Sequence, residues 1–410
     1  MKVVHVNNSD LRGGAAIAAY RIHRSLLSAG IDSTMAVNNA ISGDWTVQSP
    51  NNILAKQMAH LRPYLSELWS KSLKTTEPGI ISTSLMPSIW PQRLKDYRAD
   101  IINLHWVNDE MMSISDIGKI PQPVVWTLHD MWAFCGAEHT PSSRRWVEGY
   151  WHNNRPDYER CFDLNRWTWE RKRKHWKIPF QIVTPSHWLA DCVKESALMR
   201  NWPVSVIPNP IDTEIWQPVE KKIARQLINL PTDVPLILFG AMGGTADPNK
   251  GFDLLKTSLN NISKEIPELE LVVFGQVKPK HPLDFKIPVH YMGILHDSLS
   301  LRVLYSAADA MVVPSRQEAF GQTASEAHAC GTPVIAFNVG GLKDIVDHKA
   351  TGYLAEPYEV EDLSSGIKWV LGDSNRKISM GEEARKRAIS HWSYSKIGQL
   401  YKDLYSVIKT

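Results

Sequence analysis

Short apolar runs alternate along this chain with stretches of helical period. Lys2-Val-Val-His-Val6 reads as a first strand and leads to a Gly13-Gly14 loop. From about Ala15 to Ala29, Ile17, Tyr20, Ile22, Leu26 and Leu27 approximate one face of a helix that Gly30 ends. Ser33–Val37 is the next strand. Ile101-Ile-Asn-Leu-His105 and Val124-Val-Trp-Thr-Leu-His129 are apolar runs ending in His, the pattern of parallel strands buried on both faces. Phe180–Thr184 is another such strand, followed by Ser186 as a helix N-cap. Residues 40–95 are expected to be irregular, and 135–165, rich in Arg, Trp and Pro, to be loops.

Val206-Ile-Pro-Asn-Pro-Ile-Asp212 is dense in turn formers and marks a hinge. After it the alternation restarts, with strands expected at Leu236–Gly240, Glu270–Phe274, Val289–Met292, Ala310–Val313 and Val334–Phe337. The tail from His391 to Ile408 reads as a terminal helix. Strand and helix alternating twice over predicts an α/β protein of two doubly wound domains.

Composition narrows this. At 410 residues, 43% hydrophobic and 22% charged, the chain can fill two cores. A net charge of +3 is too small to point to nucleic acid. Cys135, Cys161, Cys192 and Cys330 form no C-x-x-C pair and read as reduced cytoplasmic thiols. No run reaches the ~18 apolar residues of a membrane span, and Met1–Asn7 reads as a strand rather than a targeting segment. A cytoplasmic protein is expected, working in the cytosol or at the inner face of a membrane.

The densest chemistry lies in Pro314-Ser-Arg-Gln-Glu-Ala-Phe-Gly-Gln-Thr-Ala-Ser-Glu326, where Glu318 and Glu326 stand eight residues apart. A buried strand precedes it, so Glu318 falls on the loop at the strand's carboxyl end, where open α/β sheets bind ligands. Gly321 opens a helix that Gly331-Thr-Pro333 ends, and Glu326 lies on that helix. Backbone N–H groups from Phe320 to Gln322 suit an anion. Two carboxylates beside such a site fit a ligand with phosphates and many hydroxyls, as a nucleotide sugar has.

With its flanking Phe-Gly, Ala-rich helix, Gly-x-Pro and following strand, this run resembles the signature of family 4 retaining glycosyltransferases of the GT-B fold. The resemblance implies two Rossmann-like domains facing a central cleft. The boundaries expected are 1–210 for the acceptor-side domain, with a C-terminal helix 390–410 packing back on it, and 211–389 for the nucleotide-sugar domain. It implies that Glu318 contacts the hydroxyls of the transferred sugar, that Phe320, Gly321 and Gln322 supply backbone N–H groups, and that Glu326 accepts from the ribose diol. Lys250, in Asp247-Pro-Asn-Lys-Gly-Phe252, matches a phosphate-loop lysine that would neutralise the leaving diphosphate. Gly13 and Gly14 match a glycine pair that lets the chain approach the diphosphate, and His129 a histidine that reaches the donor sugar. His105 has a functional and a structural reading. Gly340-Gly341 is either a further source of N–H groups for the ligand or a tight turn. The sequence departs from the pattern at Ala241, where many members have Arg. Arg316 is a candidate substitute, with a plain strand-end cation as the alternative.

Arg166–Lys177 is dense in cations and Trp, with Trp169 and Trp176 seven residues apart. It reads either as a surface for anionic lipid or a pyrophosphate-linked acceptor, or as a solvated helix with Trp packed inward. Cys135, His139 and Cys161 lack the paired spacing of a zinc site, and no metal is expected. The function expected is retaining transfer of a sugar from a nucleoside diphosphate sugar to a sugar or lipid-linked acceptor hydroxyl, in bacterial surface polysaccharide or glycoconjugate assembly. No cofactor beyond the co-substrate and no nucleic acid partner are expected. The rivals are a nucleotide-sugar epimerase and a non-catalytic nucleotide-sugar-binding protein.

Overall fold

A computed structural model describes residues 1–50, 53–71, 73–75, 79–240, 243, 247–280 and 284–409. The chain divides into two compact units, Met1–Pro208 with Ile397–Thr410, and Asn209–Lys396.

The first unit holds strands β1 (Lys2–Ser9), β2 (Asp32–Asn39), β3 (Val47–Gln48), β4 (Leu73–Thr75), β5 (Ile101–Leu104), β6 (Val124–Thr127), β7 (Glu159–Cys161), β8 (Gln181–Thr184) and β9 (Val204–Val206). Seven of them form one parallel sheet in the order β3-β2-β1-β5-β6-β8-β9, and β4 pairs antiparallel with β7. Every residue of β5 and β6 is buried, which is why those segments are apolar without alternation. The helix Gly14–Ser28 packs Ile22 and Leu26 onto Val3, Ile101, Val125 and Val183. The terminal helix Tyr394–Lys409 adds Ile397, Tyr401 and Tyr405 to the same core. Both tyrosines are completely buried, and their hydroxyls are bonded to Thr127 and Asn103, so burial of the rings is not offset by stranded polar atoms.

The second unit holds β10 (Leu236–Gly240), β11 (Glu270–Phe274), β12 (Val289–Tyr291), β13 (Ala310–Val313), β14 (Val334–Phe337) and β15 (Gly352–Ala355). They form a parallel sheet in the order β12-β11-β10-β13-β14-β15. Helices Phe252–Ile262 and Val360–Leu371 contribute Leu255, Leu259, Leu363 and Ile367 to its core.

Several expectations are corrected. Residues 40–95 are not irregular: among the described residues they contain β3, helix Ile53–Ser70, β4 and helix Trp90–Asp96. Ile53–Ser70 escapes a periodicity reading because Pro63 lies inside it and Met58, Leu61, Tyr64 and Leu68 are exposed. Within 135–165 there are a short helix, Arg145–Glu148, a 3-10 turn, His152–Asn154, and β7. The tail is two helices, Ser374–Trp392 and Tyr394–Lys409, divided at Ser393. Strands β9 and β15 were not anticipated.

Candidate functional site

Strand β13 of the second unit runs out into Pro314-Ser315-Arg316 at the carboxyl edge of its sheet. A second segment meets it there. Asp247 caps the 3-10 turn Pro248–Lys250 by accepting from Asn249 N–H at 2.9 Å, and Gly251 then turns with φ +64°. A Cβ on Gly251 would lie 1.9 Å from the Pro314 carbonyl oxygen, so only glycine permits this approach. The Arg316 N–H donates to the Asn249 carbonyl at 2.7 Å and locks the two segments.

That lock brings Lys250 Nζ to 2.6 Å from Glu318 Oε1. Ser315 Oγ donates to the same oxygen at 3.0 Å. The pair is only partly covered, with side-chain exposures of 28% for Lys250 and 17% for Glu318, so a ligand can reach it. The Glu318 carboxylate raises the Lys250 pKa above its ordinary value despite burial, so the ammonium persists at neutral pH. A small cavity behind the pair is lined by Gly240, Val313, Ser315 and Thr323.

Gly321, with φ +106°, is the N-cap of helix Gln322–Ala329. Gln322 is its first residue, half-buried. Glu326 lies on its second turn, 7% exposed, and accepts a hydrogen bond from Tyr305 Oη at 2.8 Å. Tyr305, on the helix Ser298–Ala307 that precedes β13, is a residue that pattern reading missed. The Phe320 ring is buried edge-on against Trp392, so only its backbone is left for a ligand. The structure therefore assembles Lys250, Glu318, Phe320, Gly321, Gln322 and Glu326 on one loop–helix unit and the loop beside it.

Two second-unit candidates are placed otherwise. Arg316 points its guanidinium at Asp253, with bonds of 2.9 and 2.7 Å to the two carboxylate oxygens, and at the Pro248 carbonyl. Through these bonds it braces the Lys250 loop. The Gly341 N–H is likewise committed, donating to the Glu318 carbonyl at 2.8 Å. The Gly340-Gly341 turn supports the Glu318 loop from behind. Ala241, the position where an arginine is missing, lies outside the described residues.

In the first unit, Gly13 caps helix Gly14–Ser28 at φ +94°, with open space where a Cβ would stand, so backbone is presented bare. His129 follows β6, and its Nε2 lies 3.1 Å from His105 Nδ1. His105 Nε2 lies in turn 2.9 Å from His5 Nδ1. Burial holds His129 at a pKa of about 4 although Asp130 is adjacent, so the ring is neutral at pH 7.

His139, weighed in sequence as a metal ligand, places Nδ1 2.6 Å from Asp130 Oδ2 and Nε2 2.8 Å from Ser82 Oγ. The line acid–imidazole–hydroxyl has the spacing of a nucleophilic triad. Ser82 is 4% exposed and His139 3%, so no substrate reaches the hydroxyl and the set serves to hold the 131–139 loop. Cys135 is buried and Cys161 exposed, and no metal-holding cluster occurs among the described residues. In the cationic helix Leu164–His175, Trp169 is buried, as is Trp176 just after it, but so is Lys172. Its ammonium donates to the carbonyls of Trp132, Cys135 and Gly136, and burial pulls its pKa down to about 7. Among the described residues no helix is long and apolar enough to cross a membrane.

The family model described as Glycosyltransferase Family 4 matches residues 12–215, and that described as Glycosyl transferases group 1 matches residues 221–387. A D-inositol 3-phosphate glycosyltransferase of Xylanimonas cellulosilytica is 31% identical over 228 residues, 50% of this chain and 53% of the relative. An uncharacterized glycosyltransferase of Methanocaldococcus jannaschii is 29% identical over 207 residues, 48% of this chain and 52% of the relative. The chain thus spans about half the length of the curated relatives it matches. Among solved structures, a sucrose-phosphate synthase from Thermosynechococcus elongatus matches with a TM-score of 0.65 at 18% identity, covering 99% of this chain and 100% of that one. Anabaena HepE in complex with UDP-glucose matches with a TM-score of 0.66 at 16% identity, covering 99% and 100%. At those identities the likeness shows the fold alone.

Proposed function

The chain belongs to the group 1 glycosyltransferases of the family 4, GT-B type, and on that premise we propose that it transfers a sugar, with retention, from a nucleoside diphosphate sugar to an acceptor hydroxyl. The observation that carries the reading is the Lys250–Glu318 pair beside the opening of helix Gln322–Ala329. An ammonium and a helix N-terminus stabilise a diphosphate that gains charge as its bond to the sugar breaks. Glu318, shared between Lys250 and Ser315, keeps its second oxygen for sugar hydroxyls. Glu326, aimed by Tyr305, is the carboxylate proposed to accept from a ribose diol.

In this mechanism the departing diphosphate takes the acceptor proton, and the protein orients the reactants and stabilises the charge. No metal is required of the residues named, because Lys250 and main-chain N–H groups neutralise the phosphates. Gly13, Gly14 and His129 take their roles, approach to the diphosphate and contact with the sugar, from the family resemblance. An acceptor on a growing surface polysaccharide or glycoconjugate, sugar or lipid-linked and met at the cytoplasmic membrane face, is the setting proposed.

UDP-glucose is the first donor to try, because a protein of the same fold is solved with it. Incubation of the chain with UDP-glucose and other nucleoside diphosphate sugars, with and without a panel of sugar acceptors, tests the reading in the presence of EDTA. The expected result is acceptor-dependent release of diphosphate and a product of the donor's own anomeric configuration. Interconversion of the sugar without acceptor would make the protein an epimerase, and tight donor binding without turnover on any acceptor would make it a binding protein.

A further inference from the structure

Helix Ile53–Ser70 of the first unit turns large apolar side chains outward. Tyr64 is 70% exposed and Leu68 64%, and Met58 and Leu61 are about half-exposed. At 3.6 residues per turn these four and the half-buried Leu65 fall within an arc of about 120°, interrupted by Gln57. Helix Gly14–Ser28 of the same unit does the reverse and turns Ile22 and Leu26 into the core. What fastens helix Ile53–Ser70 is polar. Arg62 donates to the carbonyls of Glu110 at 2.7 Å, of Pro87 at 2.8 Å and of Met86. Ile89, two residues beyond Pro87, is exposed as well. Several large apolar side chains left in water on one helix face mark a surface that meets something apolar.

The charges around that face select the partner. Helix Leu164–His175 reaches the same segment, where Arg171 donates to the Thr83 and Ser84 carbonyls, each at 2.8 Å. Along this seam the acids are turned in and the cations out. Glu110 is buried and accepts from Thr83 Oγ1 and from the N–H groups of Leu85 and Met86. Asp116, also buried, accepts from the N–H and hydroxyl of Ser88. Lys119, Lys174 and Lys177 are exposed. After burial, these three and Arg171 lower the pKa of His175, so the four cations gather about one ring. The single acid on helix Ile53–Ser70, Glu67, is paired with Lys71 at 3.0 Å, and residues 53–75 set Lys56, Arg62, Lys71 and Lys74 against it. An apolar stripe beside outward cations fits an anionic lipid surface, with side chains entering the acyl boundary and ammonium groups on the head-group phosphates. A second copy of the chain fits worse, because it would bring like charges together.

We propose that the first unit docks on an anionic bilayer through the outer face of helix Ile53–Ser70, with Lys119, Lys174 and Lys177 on the lipid head groups. Tyr64, an apolar ring with a polar tip, is the residue type of such a boundary. The transfer reading above sets an acceptor at a membrane; the docking face stands on the exposed residues and requires no turnover.

Flotation of the full chain with vesicles of phosphatidylcholine, and of phosphatidylcholine mixed with phosphatidylglycerol, tests this. Binding to the mixed vesicles is expected, weakened by salt, with little binding to phosphatidylcholine alone. Leu61→Ser combined with Leu68→Ser is expected to weaken binding about tenfold, and Lys174→Glu combined with Lys177→Glu by about as much. All four side chains are exposed, so both variants are expected to melt like wild type. No binding of wild type to mixed vesicles overturns the proposal whatever the variants do. Wild-type binding by the serine variant removes the helix from the docking face and overturns it too. Wild-type binding by the glutamate variant overturns the head-group contacts. Dimers in sedimentation velocity that the serine variant abolishes would give the face to a second copy and overturn the bilayer. Acceptor-dependent sugar transfer is read without vesicles, so its failure and the failure of docking are told apart.

Discussion

Lys250 and Glu318 are 68 residues apart in the chain yet meet at 2.6 Å. The lysine acts most when the leaving diphosphate gains charge, so Lys250→Ala is expected to lower kcat roughly ten- to hundredfold, from ~1.5–3 kcal/mol of charge-assisted bonding, with a smaller effect on donor binding. Steady-state kinetics at saturating donor decides this, and near-wild-type kcat would remove Lys250 from the mechanism. Tyr305 is a gentler probe. Its hydroxyl aims Glu326, and Tyr305→Phe is expected to weaken nucleoside diphosphate binding about fivefold, for about 1 kcal/mol, by calorimetry. Unchanged affinity would mean that Glu326 holds the fold rather than the ribose. Both carboxylates and the lysine were legible in sequence, because each sits in a short motif with its own punctuation. Tyr305 and the ring-to-ring contacts of His5 were not, since their partners are a helix or a strand away.

Among elements, the loop Asp247–Phe252 depends on its clasp to β13. Arg316 and Asp253 form that clasp with two parallel bonds. Arg316→Ala and Asp253→Asn are expected to raise the donor KM by the same few-fold factor, and the double variant to add nothing further. A much larger loss in Arg316→Ala than in Asp253→Asn would instead return Arg316 to the diphosphate. In the first unit, Lys172 ties helix Leu164–His175 to three carbonyls of the 132–136 turn. Lys172→Met is expected to cost about 3–5 kcal/mol by stranding those acceptors, visible as a lowered melting temperature and early proteolysis near residue 135. Stability like wild type would show that water replaces the ammonium. Nothing in the run Arg171-Lys-Arg-Lys174 marks its second residue as the buried one.

At the scale of the molecule, histidines kept neutral by burial are expected to make the chain acid-labile. His23 and His129 are held at about 4 and His328 at about 3, burial being the first cause in each, against an ordinary value of 6.5. Below 6.5 the unfolded chain binds protons that the folded chain refuses. Stability is therefore full above pH 6.5 and drains as pH falls towards 4, at about 1.4 kcal/mol per pH unit for each such histidine. Scanning calorimetry at pH 7.5 and pH 5 is expected to show a melting temperature lower by several degrees at pH 5. A flat profile would show that these rings are hydrated enough to titrate normally.

The α/β class, the interior strands and the Glu318–Glu326 unit followed from sequence because each rests on local, repetitive physics. A strand covered on both faces must be apolar throughout, and a helix that opens onto a ligand needs glycine at its start. Edge strands β3, β9 and β15 carry no such demand, since one side of each is unpaired, and they left no continuous apolar run to read. Helix Ile53–Ser70 hid behind an internal proline and an exposed apolar face. What tertiary structure alone decided is which polar groups share one environment: Arg316 with Asp253, Lys172 with three carbonyls, and His129 with His105 and His5. A hydrogen bond depends on distance and direction between atoms far apart in the chain, and those exist only once the sheets are assembled.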